Sequence, residues 1–209
     1  MAVSRGYILS IPEEREKRYK EFLVNALVEY QKRSYVQTMK LFEEQKDIYE
    51  NSICQVFQKA EDFLESTIDS RKKGKLRYIH FSYLLSGALS GEHLVKIDFY
   101  DKQYYKDVEE ANCFWDCMNL FPFYEEACKN AETDIKRGIA RIQSGELSRI
   151  RIGFTACDYL TLKPVLKELV KGEKFIKSLL PYCEPPVYIL YGAYLDEAEI
   201  LYQIGGNKE

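Results

Sequence analysis

Histidine is scarce in this chain: 209 residues carry two, His80 and His93. Long apolar runs are missing altogether. No window approaches eighteen apolar residues, so no helix is expected to span a membrane. The opening residues show no basic stretch followed by an apolar run, so no export leader is expected. Gly-x-Gly-x-x-Gly, Gly-x-Ser-x-Gly and His-Glu-x-x-His are absent, and "GFTACDYL" at 153–160 lacks the Gly-Lys-Ser/Thr of a phosphate loop. These absences lean against an enzyme of a motif-bearing class. A net charge of −3 gives no reason to expect nucleic acid or an anionic membrane as a partner.

Six cysteines and no leader suggest reduced thiols in a cytoplasm. Cys113 and Cys117 are four apart, which would put them on one face of a helix expected over 107–120. Zinc needs two more ligands, and no Cys-x-x-Cys or His-x-x-x-His supplies them. The two cysteines therefore read as core, and neither metal nor cofactor is expected.

What the chain has is the composition of a folded domain, 46% apolar and 30% charged, with 17 tyrosines. Tyrosine, with its apolar ring and polar tip, suits strands and half-buried surfaces. The charges lie in blocks. From Asp107 to Asp134 eight acids face one lysine, and from Lys136 to Lys177 ten bases face four acids. Such blocks either pair with each other or form separate solvated faces.

Residues 13–70 read as helix. Pro12 suits a first turn and Ser10 a cap. The apolar stripe runs through Tyr19, Leu23, Ala26 or Leu27, and Tyr30, and resumes at Tyr35, Met39, Phe42, Tyr49, Ile53, Val56, Ala60, Phe63 and Ile68, with steps of three and four dominant. Arg71, Lys72, Lys73 and Gly74 look like its end. One straight helix of that length would measure about 87 Å, whereas a compact domain of this size has a radius of gyration near ~17 Å. The chain must then break, near Gln31–Ser34 or Glu43–Lys46 where the stripe falters, or project as a dimerisation arm.

After Gly74 the period changes to two. Ile79, Phe81 and Tyr83 alternate with Tyr78, His80 and Ser82; Val95, Ile97 and Phe99 alternate with Lys96, Asp98 and Tyr100. The two runs predict a β-hairpin. Pairing Phe81 with Ile97 leaves a three-residue loop at Ala88–Ser90, sets His80 opposite Asp98 and His93 opposite Leu85. His80 and His93 then lie ~16 Å apart along the strand, on opposite faces, and do not share a metal. A carboxylate beside an imidazole raises its pKa, so His80 and Asp98 form the one catalytic constellation available.

Helix is expected at 107–120, 123–143 and 161–180, a strand at 147–154, and a closing hairpin at 187–194 and 199–204. Arg149 and Arg151 would share one face of that strand and could grip an anion. The sum is a single α+β domain over residues 1–209, with long N-terminal amphipathic helices. Its sheet, antiparallel or mixed, consists of two hairpins plus one strand, with helices packed on one side. The expected function is a non-catalytic cytoplasmic interaction, accessory or regulatory protein that self-associates. The alternatives are a small enzyme using His80 and Asp98, or an anion or small-molecule sensor using Arg149 and Arg151.

Overall fold

The computed structural model describes residues 6–70 and 72–205. Helix α1 (Gly6–Glu44) starts ahead of the expected Ser10–Pro12 boundary, and α2 (Lys46–Asp69) follows it. Gln45, at φ −126° and ψ 26°, breaks the helical path between them, at one of the two places where the stripe falters. The helices do not fold back into a hairpin, because each has a different partner. From Arg15 to Phe42, α1 lies along α4 (Ser144–Leu169), while α2 packs on the sheet edge and on α5 (Glu173–Leu179). The N-terminal helix is therefore part of the domain and not a projecting arm. The expected stripe is buried or half-buried up to Ala60 except at Tyr35, which is 48% exposed, and beyond Ala60 it slips by one. Leu64 and Thr67 are buried, whereas Phe63 is 47% exposed. Arg71 lies outside the described residues.

The sheet is mixed and five-stranded, in the order β3-β2-β1-β4-β5. Strands β1 (Leu76–Tyr83) and β2 (Leu94–Tyr100) are antiparallel in the expected register, with Phe81 opposite Ile97 and His80 opposite Asp98. Strict alternation sets this register, since a slip of one would expose Phe81 and Ile97, both fully buried. Strands β4 (Cys183–Ala193) and β5 (Ala198–Ile204) form the closing hairpin, and β4 pairs parallel with β1 at the sheet centre.

Three expectations fail. The hairpin has no tight turn: its ladder ends at Tyr83 and Val95, and Leu85–Leu89 forms a 3-10 turn. That loop is held among the helices, because Tyr124 donates to the Ala88 carbonyl and Tyr159 to the Leu84 and Leu94 carbonyls. His93 thus has no partner in the ladder. Second, the segment expected to be a helix over 107–120 contains β3 (Asn112–Asp116), so Cys113 and Cys117 share no helix face. Third, the strand expected over 147–154 is the first half of α4, opened by a capping box between Gln143 and Glu146. Helix α3 (Tyr124–Gly138) falls where expected.

With α1 and α3 packed on α4, helices α2, α4 and α5 cover one face of the sheet. Phe57 of α2 and Phe175 of α5 meet Phe81 there, and Phe57 also meets Phe99 edge-on. Tyr159 of α4 stacks on Tyr83, and Trp115 of β3 donates to Ser52. The outer face is left to side chains and loops. Across its centre runs the row Asp98, His80, Leu190, Ile200, and beside it Phe114, Lys96, Ser82, Gly192, Ala198.

Candidate functional site

The outer face holds the first pair of residues singled out from the sequence. His80 and Asp98 are neighbours across the ladder, but they do not bond. Asp98 accepts from the Lys96 ammonium at 2.7 Å, and Lys96 also sits 4.7 Å from the centre of the Tyr194 ring. Lys96 lies two residues from Asp98 on the same strand face and is a permanent cation at neutral pH. It therefore takes the carboxylate in preference to a weakly basic imidazole. The consequence reverses the expected direction. Burial, and then the Lys96 charge, push the His80 imidazole down to about 4. His80 is neutral at pH 7 and 1% exposed, so in this conformation no substrate reaches its ring.

The surroundings of His80 are incompletely bonded. Its Nδ1 lies 3.5 Å from the Tyr105 hydroxyl, at the limit of a hydrogen bond. Its Nε2 and the Ser82 Oγ are buried without a partner in the protein. Around them is a cluster of tyrosines. Tyr78 stacks on Tyr188, and Tyr104 touches Tyr78, Tyr100 and Tyr105. Much of the tyrosine content is thus spent on the face that no helix covers. The loop carrying Tyr104 and Tyr105 is pinned from below by Lys73, which bonds Asp107 and the Glu109 carbonyl. Lys73, read from the sequence as part of a helix-ending basic run, is 3% exposed and joins α2 to this loop.

Arg149 and Arg151 do not form a pair. They sit two apart on α4, about 200° around the helix from each other. Arg149 is exposed, while Arg151 is engaged by Glu125 at 3.0 Å and Glu132 at 3.0 Å. Through Arg151 the basic block meets the acidic block, so the anion grip expected there has no shared face, and the guanidinium of Arg151 is already taken.

A second cluster was missed. Asp158 of α4 is fully buried and accepts three donors: the Tyr30 hydroxyl at 2.8 Å, the Ser34 hydroxyl at 2.6 Å and His93 Nε2 at 2.9 Å. His93 is held between Phe121, stacked at 5.0 Å, and the edge of Tyr124 at 4.6 Å. The cluster ties α1, α4 and the β1–β2 loop together. Its sequence signal was present: the stripe of α1 falters at Gln31–Ser34 because Ser34 and Thr38 occupy core positions as polar residues. Thr38 donates to the Leu120 carbonyl. Outside this cluster, α1 and α3 border a groove of about 400 Å³ floored by Phe22, Tyr30 and Phe154.

All six cysteines are free. Among the described residues no three His, Cys, Asp or Glu side chains are grouped to hold a metal, and no helix is long and apolar enough to cross a membrane. No family model, no curated protein and no solved structure matches the chain.

Proposed function

We propose that this is a non-catalytic accessory or regulatory protein of the cytoplasm, which acts by binding another protein chain, in the first place a second copy of itself. The observation that carries the reading is the asymmetry of the sheet. Helices α2, α4 and α5 pack on one face, and the other carries the exposed side chains Phe114 (50% exposed) and Ile200 (61% exposed) on its two edge strands, with Tyr105 and Tyr194 exposed in flanking loops. Exposed apolar side chains on a sheet face that no helix covers are the kind of surface that protein partners bury. Aromatic residues, and tyrosine in particular, dominate interface cores. The length of the N-terminal helices no longer supports self-association, because α1 packs on its own chain; the outer sheet face takes over that argument. Six unpaired thiols fit a reducing compartment. Nucleic acid and membrane are not partners in this reading, in keeping with the net charge of −3.

The test is light scattering at micromolar concentration. The expected mass is twice 24.6 kDa, and the double variant Phe114→Glu, Ile200→Glu is expected to return the monomer with an unchanged circular dichroism spectrum. A wild-type monomer at that concentration overturns self-association. A dimer that survives both substitutions moves the contact off this face.

A further inference from the structure

The hydrogen-bonding groups around His80 are unbalanced in kind. In the tautomer in which the Tyr105 hydroxyl donates to Nδ1, the imidazole proton is on Nε2, which is then a donor with no acceptor among the described residues. The Ser82 hydroxyl, directly across the ladder from Lys96, is a second donor with no acceptor. The Lys96 ammonium has three N–H groups, of which Asp98 takes one and the Tyr194 ring faces another. The Asp98 carboxylate, which would balance them, is bonded to Lys96. His80 and Ser82 are each 1% exposed. Buried donors without acceptors cost about 1–3 kcal/mol each, and native proteins seldom leave two side by side.

We propose that the corner formed by Nε2 of His80, the Ser82 hydroxyl and the Lys96 ammonium is a binding site for a single carboxylate group. The three donors are neighbours on one face of the ladder, Ser82 opposite Lys96 and His80 two residues along from Ser82, and a set of donors with one cation among them suits one small anion. A dianion such as phosphate fits less well, because Asp98 stands beside the corner and repels the second charge. Entry requires Tyr105 to swing aside. Its contact with His80 is long, its ring is 52% exposed, and it sits on a surface loop. The carboxylate comes either from a small molecule or from an acidic group of a bound chain, and the corner recognises both in the same way. The proposal does not rest on self-association.

The test is the NMR titration of the His80 ring in the full chain, assigned with a His80→Gln variant, in sodium acetate and in sodium chloride of equal ionic strength. The groups facing the ring are Lys96, Asp98, Tyr105 and Ser82, and an added carboxylate alters the balance among them in one direction. Acetate is expected to raise the midpoint of His80 saturably, by at least about one pH unit, while chloride leaves it in place. Ser82→Ala is expected to weaken the acetate response about tenfold, with the spectrum of the folded chain otherwise retained. If the wild-type midpoint without acetate is already raised at high protein concentration and falls on dilution, the carboxylate belongs to a second copy. An acetate response that does not change on dilution assigns it to solution. A midpoint insensitive to both acetate and dilution, or an acetate response that Ser82→Ala leaves unchanged, overturns the site.

Discussion

The two histidines are both buried, and the protein treats them in opposite ways. His93 sits in a loop held among helices, and its ring faces Asp158, a carboxylate that no lysine or arginine among the described residues bonds. His80 sits at the centre of the sheet beside Asp98, a carboxylate already bonded to Lys96. The first histidine shares an acceptor with two hydroxyls from α1 and acts as a tie between elements. The second is left with a cation for a neighbour and a depressed basicity. Proximity to an acid therefore does not decide the state of a histidine; the other partners of that acid do.

The comparison is broken most directly at the acids. Asp158→Ala removes the only acceptor of Tyr30, Ser34 and His93 Nε2, deep in the core. It should cost about 3–5 kcal/mol of stability in urea unfolding. Asp98→Ala leaves the mostly buried Lys96 ammonium without its carboxylate and should cost about 1.5–3 kcal/mol, the range for a hydrogen bond to a charged group. Equal losses from the two substitutions would mean that the clusters do not differ as described.

An effect of similar size lies in the pH dependence. An unfolded histidine titrates near ~6.5, and folded His80 near about 4. The folded state thus prefers the neutral ring. The contribution of His80 to stability is complete above the unfolded value and is lost as pH falls through the folded one. Between pH 7 and pH 4 the wild type should lose about 1–3 kcal/mol more than His80→Gln. Urea midpoints measured for both proteins across that range check it. The opposite ordering would indicate a partnered, positively charged His80. Least affected should be Tyr105→Phe, which removes only the long hydroxyl contact to His80 and should change stability by under about 0.5 kcal/mol.

The parts of this fold that were legible have a strong single period. Phe81, Ile97 and their neighbours alternate without exception, so register and the facing of His80 and Asp98 follow. The steps of three and four through Tyr49, Ile53, Val56 and Ala60 likewise declare a helix. The parts that were not legible carry two periods at once. In residues 147–154, Ile150, Ile152 and Phe154 alternate like a strand. Leu147, Ile150 and Phe154 also recur as on a helix, and the capping box at Gln143 decides for the helix. Residues 112–116 are the converse: a short edge strand whose aromatic and cysteine residues also suit a helix. The Asp158 cluster is non-local, with donors 128, 124 and 65 positions away, and no local pattern joins them. At His80 the pattern placed the acid correctly. It was silent on the competition between Lys96 and the imidazole, which turns on side-chain reach and charge.

The parallel pairing of β1 with β4 has a consequence for how the protein is made. The middle of the sheet joins Leu76–Tyr83 to Cys183–Ala193, and everything between, including α3, α4 and α5, belongs to the connection. On a ribosome, β1 emerges and pairs with β2 long before its other neighbour exists. Until the last strands are released, one side of β1, with the apolar surface of Ile79 and Phe81 beside it, has no β4 to close against. Contacts spanning such a stretch of chain slow folding, because loop closure precedes any reward from the contact. The sheet is therefore closed only once β4 and β5 have emerged, and the nascent chain shows an open strand edge until then.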